Sequence, residues 1–103
     1  MKNIGFGFTP THPGEVLKDE IEYRKISQSR LAKQMGISYK ILNDILNERR
    51  PITTHTAMMF EAALGVPAYS LINIQAEYNL QMASRDKSLA VKLAEIRKIA
   101  SIL

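Results

Sequence analysis

Residues 28–47 read Gln28-Ser29-Arg30-Leu31-Ala32-Lys33-Gln34-Met35-Gly36-Ile37-Ser38-Tyr39-Lys40-Ile41-Leu42-Asn43-Asp44-Ile45-Leu46-Asn47, and the spacing of their apolar members decides the fold. Leu31, Ala32 and Met35 fall at helical intervals and make one stripe. Gly36 stands just past that stripe, where a helix end often turns left-handed and glycine does so without a Cβ clash. Ile37 continues the core. Ser38 offers a hydroxyl to cap a second helix, with Leu42, Ile45 and Leu46 on its inner side. Two helices joined by so short a turn approach closely near Ala32, where a larger side chain would wedge them apart. The pattern is a helix-turn-helix.

Charge gives the motif a direction. From Arg24 to Thr53 there are seven basic residues and two acidic ones, whereas the preceding 23 residues carry four acidic and two basic. A basic block centred on this motif is the electrostatic footprint of phosphate contact; without it, the same segment would read as an ordinary helical hairpin.

Outside the motif, 103 residues support one domain with at most an appendage, and 46% hydrophobic content is that of a folded chain. A core this small gains from a second subunit. The chain has no cysteine, which removes disulfides, thiolate catalysis and cysteine-based metal sites together. No apolar run nears the ~18 residues of a membrane span, and the glycine-broken start Met1–Phe8 does not read as a signal peptide. The expectation is a soluble cytoplasmic protein, and the net charge of +4 leans toward an anionic partner.

The expected architecture is all-α: five helices in a repressor-like helix-turn-helix domain, with a sixth appended. Residues 1–11 read as a flexible arm, 12–83 as the domain and 84–103 as a C-terminal helix. Helix one starts near His12, with Pro13 at the first position, where its missing N–H is harmless. Glu15 then faces the dipole, and Val16, Leu17 and Ile21 form the inner side. Helix two runs from Ser27 to Met35 and helix three from Ser38 to Asn47. The Glu48–Pro51 loop leads to a cap at Thr53 or Thr54. Ala57, Phe60, Ala63 and Leu64 line helix four, which Gly65 stops, and Pro67 opens helix five. Asp86 can cap the last helix, whose Leu89, Leu93, Ile96, Ala100 and Leu103 form a heptad-like stripe. That stripe either makes a dimer or partner surface or packs on its own domain, against Tyr69, Ile72 and Leu80.

A B-DNA major groove admits one helix, and side chains near its amino end read base edges. The residues that helix three does not spend on the core are Ser38, Tyr39, Lys40, Ile41, Asn43 and Asp44. The carboxamide of Asn43 can pair with both N6 and N7 of adenine. Lys40 can reach guanine acceptors or a phosphate. Tyr39 can donate to a phosphate or pack on a thymine methyl, and Ile41 can make a similar apolar contact. Asp44 either accepts from cytosine N4 or orients Lys40 one turn earlier. Phosphate contacts are expected from Gln28 and Ser29 at the amino end of helix two, from Arg49 and Arg50 in the loop, and from Thr53 or Thr54 at the next helix start. Solvent exposure is the plain alternative for each.

From His12 to about Tyr78 the chain resembles the antitoxin half of HigBA-type addiction modules, within the Xre/Cro-like repressors. The resemblance is carried by His12-Pro13-Gly14-Glu15-Val16-Leu17, Ser27-Gln28, Leu31-Ala32, Gly36-Ile37-Ser38, Ile45 through Thr53, Ala63-Leu64-Gly65 and Asn73 through Tyr78. It implies a homodimer that binds a palindromic operator at its own promoter, and that binds and silences a small ribosome-dependent RNase toxin. Departures limit it: arginine is common in the family where Tyr39 and Asp44 stand, and glycine where Glu48 stands. Ser70-Leu71 replaces a bulky Phe-Trp pair, and the tail after Ser84 lies beyond the match.

Glu15, Asp19 and Glu22 share one side of helix one, as a solvated face or a dock for a basic toxin. His12 and His55 lack the acidic partners of a metal site. No nucleophile triad or phosphate loop stands out, so neither an enzyme nor a cofactor is expected. Two other readings share the scaffold: a stand-alone repressor without a toxin, and a protein-interaction adaptor that has lost DNA binding.

Overall fold

A computed structural model describes residues 9–103, and every regular element among them is helical. The helices are α1 (Pro13–Tyr23), α2 (Gln28–Met35), α3 (Tyr39–Leu46), α4 (Thr54–Leu64), α5 (Ala68–Ala83) and α6 (Lys87–Ala100). Residues 1–8 of the expected arm lie outside the described residues; of the rest, Pro10 is buried.

Local chemistry sets most of the helix ends. Ser27, Ser38 and Thr53 each cap with a side-chain oxygen that accepts a backbone N–H from the first turn. Thr53 and Thr56 do so reciprocally, as a capping box. Gly36 and Gly65 end α2 and α4 in the left-handed region, at φ 74° and 77°. Pro67 is the cap residue of α5 rather than its first helical residue.

α1 to α5 close around one core. Phe60, Leu17, Leu31, Leu42, Ile45, Leu46 and Leu71 are fully enclosed, with Ala32, Ile21, Met35, Ala57 and Leu64 filling between them. The apolar stripes read from the sequence for α1 to α4 meet here, except that Val16 of α1 is only half-buried and lies outside this cluster. The Ser70-Leu71 step resolves simply: Leu71 is buried and Ser70 is exposed. α6 differs, because none of its residues is buried. The expected stripe does not sink into its own domain: Leu93, Ile96, Ala100 and Leu103 are exposed and Leu89 is half-buried. The radius of gyration is accordingly 17.2 Å, against about 13 Å for a compact chain of this length.

Two backbone features fix how α3 sits. Gly14, in the first turn of α1, lies against the carbonyl of Ile45 in α3, so closely that no Cβ fits between them. Behind it, Lys18 Nζ donates to Asn47 Oδ1 at 3.2 Å, joining α1 to the end of α3. After α3 the chain reverses through Glu48, which is left-handed at φ 64°. That conformation accounts for the glycine common at this position in the family that the sequence resembles.

His12 acts as a cap. Its buried Nδ1 accepts the N–H of Gly14 at 2.9 Å, and its ring meets Tyr78 of α5 edge-on with centroids 4.8 Å apart. Burial holds its pKa below the ordinary 6.5, with Glu48 opposing. A protonated imidazole has no acceptor left for the cap. Its contribution to stability is therefore whole above pH 6.5 and falls as the pH drops from there toward the lowered folded value. Thermal unfolding at pH 7.5 and at pH values below 6.5 should show this loss, and His12→Asn, which keeps a capping oxygen, should flatten it.

Candidate nucleic-acid interface

The amino-terminal turns of α3 protrude from the core. Tyr39 is 52% exposed, Ser38 and Lys40 are exposed, and Asn43 is half-buried. Ser38 Oγ accepts the N–H of Ile41 at 3.1 Å, so one lone pair is committed to the cap, and its proton and second lone pair remain for a contact. Ile41 leans partly onto the core.

The side chains on this face are joined to one another. Asn43 Nδ2 donates to Gln28 Oε1 at 3.2 Å, tying the readout amide to α2. Arg49 Nη2 donates to Asn43 Oδ1 at 2.9 Å, and Arg49 Nε to Asp44 Oδ1 at 3.2 Å. Lys40 Nζ completes the set on Asp44 Oδ2 at 3.0 Å. Both groups of the Asn43 amide thus have one partner and keep capacity for a second. That is what a bidentate contact to adenine N6 and N7 uses.

Asp44 does not stand among the outward residues, where helical spacing placed it. It is 8% exposed, with both carboxylate oxygens engaged. The hydrogen bond from Lys40, then that from Arg49, holds its carboxyl below the usual aspartate range, against the opposing effect of burial. Of its two sequence readings, the geometry has the one in which it orients Lys40. It also captures Arg49, a pairing that helical spacing does not suggest.

The expected phosphate-contacting residues flank this face. Ser29 is exposed in the first turn of α2, while Gln28 turns its amide inward to Asn43. Thr53 and Thr54 are exposed at the start of α4, where unpaired N–H groups and the helix dipole favour an anion. Arg49 and Arg50 part company. Arg49 is drawn back onto α3, whereas Arg50 is exposed and has no ion pair among the described residues.

Three residues that build the site escaped the sequence reading. Gln75 is buried on α5, and its Oε1 accepts the N–H of Ile52 at 2.7 Å, which anchors the loop carrying Arg49 and Arg50. Its spacing of four from the buried Leu71 was the available signal. Gly14 inside a helix, a costly place for glycine, pointed to close backbone approach. Lys18 gave no signal. Among the described residues, no group of three His, Asp or Glu is placed to hold a metal, and no helix is long and apolar enough to cross a membrane.

This arrangement is that of a helix-turn-helix protein, and residues 17–71 match the helix-turn-helix family, to which the chain belongs. It is 39% identical over 77 residues to virulence-associated protein I of Dichelobacter nodosus, covering 74% of this chain and 71% of that one. Among solved structures it resembles an addiction module antidote protein of the HigA family from Coxiella burnetii. The identity is 31% and the TM-score 0.74, over 82% of this chain and 94% of the other. The antitoxin HigA of Pseudomonas aeruginosa, solved with the higBA promoter, is 32% identical with a TM-score of 0.73, over 80% of this chain and 90% of its own. The fold expected from the sequence, and its resemblance to HigA-type antitoxins, both stand.

Proposed function

We propose that this protein is an antitoxin that represses its own operon and neutralises a small basic RNase toxin by binding it. One observation carries the DNA half: the amino-terminal face of α3 stands clear of the core with Asn43 held in an ordered amide network, beside the exposed Arg50. The likeness to a HigA solved with its promoter supports the same half. In this reading Asn43, Tyr39 and Lys40 face base edges. Ser29, Arg50 and the amino ends of α2 and α4 hold the phosphates.

One α3 reads only a few base pairs, so a homodimer on a palindromic operator is the natural working form. The uncovered apolar stripe of α6 is the surface for it. The likeness to HigA-family antidotes supports the toxin half, and the exposed Glu15, Asp19 and Glu22 on α1 offer a basic toxin an acidic face. The protein works in the cytoplasm by binding, without cofactor or catalysis.

A titration against the DNA upstream of its own gene tests this reading. Asn43→Ala should reduce discrimination between matched and mismatched duplexes by about 1–3 kcal/mol at one base pair. Arg50→Ala should weaken binding to every sequence and reduce the salt slope by about one. Wild-type protein that binds that region no better than random duplex, at any salt, refutes the DNA half. Failure to co-purify with the neighbouring gene's product refutes the toxin half.

A further inference from the structure

A buried carboxylate on the face offered to a polyanion calls for an explanation, since near phosphates it adds repulsion. The connections of Asp44 supply one. Its two oxygens hold Lys40 and Arg49, and its backbone carbonyl accepts the N–H of Arg49 at 2.7 Å. Arg49 then reaches Asn43, and Asn43 reaches Gln28. One carboxylate thus anchors a network that runs from the loop after α3, across α3, to α2.

We infer that Asp44 is a specificity-determining positioning residue: it holds Lys40 and Arg49 side by side and, through Arg49, sets the amide of Asn43 before DNA arrives. The inference rests on the DNA-reading function proposed above. Two effects of opposite sign follow. On a matched site the side chains arrive already ordered, so less freedom is lost on binding. On arbitrary DNA the same carboxylate offsets two cations that would otherwise find phosphates, so non-specific binding is held down. Asp44 widens the gap between right and wrong sequences from both ends. It touches no base in doing so.

The test uses the full chain, with anisotropy titrations at several salt concentrations on two duplexes: the DNA upstream of its own gene and a random sequence of equal length. Asp44→Asn keeps the shape and removes the charge. It should narrow the ratio of the two affinities by roughly five- to a hundredfold. It should also strengthen random-duplex binding and steepen its salt slope by about one. Arg49→Lys keeps the charge and loses the fork that joins Asp44 to Asn43. It should narrow the ratio with the slope unchanged.

An unaltered ratio in Asp44→Asn, or equal losses on both duplexes with an unaltered slope, overturns the inference and leaves the DNA-reading function standing. If circular dichroism shows Asp44→Asn unfolded, Arg49→Lys decides, and a wild-type ratio there overturns it. A wild-type protein that does not separate the two duplexes removes the underlying function, and the inference with it.

Discussion

Gly14→Ala should cost this domain about 2–3 kcal/mol, a fall in melting temperature of the order of 10 °C for a domain of this size. Helix propensity alone predicts the reverse, since alanine gains about 1 kcal/mol over glycine inside a helix. The sign is set by the neighbour. The new Cβ would overlap the Ile45 carbonyl oxygen and lie 3.0 Å from His12 Nδ1. The first of these belongs to the backbone of α3 and cannot rotate away, so α1 and α3 must separate. Because the displaced helix is the one that would enter the groove, DNA affinity should fall further than the lost stability accounts for. Calorimetry and a binding titration on the same preparation check both parts. An unchanged melting temperature would mean that α1 and α3 do not approach as described.

Gln75→Ala should cost about 2–4 kcal/mol, although Gln75 faces neither core hydrocarbon alone nor DNA. Its Oε1 is the acceptor for the buried N–H of Ile52, and an orphaned buried donor costs about 1–3 kcal/mol before lost packing is added. Gln75→Met, similar in length and without the acceptor, isolates the hydrogen bond from the packing. The same loss frees the 47–53 loop, so binding should weaken on all duplexes alike through Arg50 and the start of α4. Equilibrium denaturation of the two variants measures the first effect. A variant as stable as wild type would show that the loop is held by other contacts.

Much of this fold was legible because its signals are local. A serine or threonine before an apolar repeat and a glycine after one carry their own chemistry, and Ser27, Ser38, Thr53, Gly36 and Gly65 all act as read. What escaped depends on residues distant in sequence. Helical spacing places Asp44 facing outward and says nothing of Arg49 returning over it, because that needs the left-handed turn at Glu48. The role of Gln75 is set by a loop 23 residues away. His12 was legible as the start of helix one, but not as its neutral side-chain acceptor, which depends on burial against Tyr78 of α5. The side chains that meet around α3 could be named from the sequence; how they bond to one another could not.

α6 leaves a mark on how the molecule opens. A helix of 14 residues with none of them buried has little beyond its own ladder to keep it wound. In dilute protein its amides should exchange with deuterium far faster than those of α3 or α4, through openings that leave the core closed. Loss of helical signal on heating would then begin before the core gives way. If α6 pairs with its counterpart in the homodimer proposed above, a single cooperative transition should return as the protein concentration is raised.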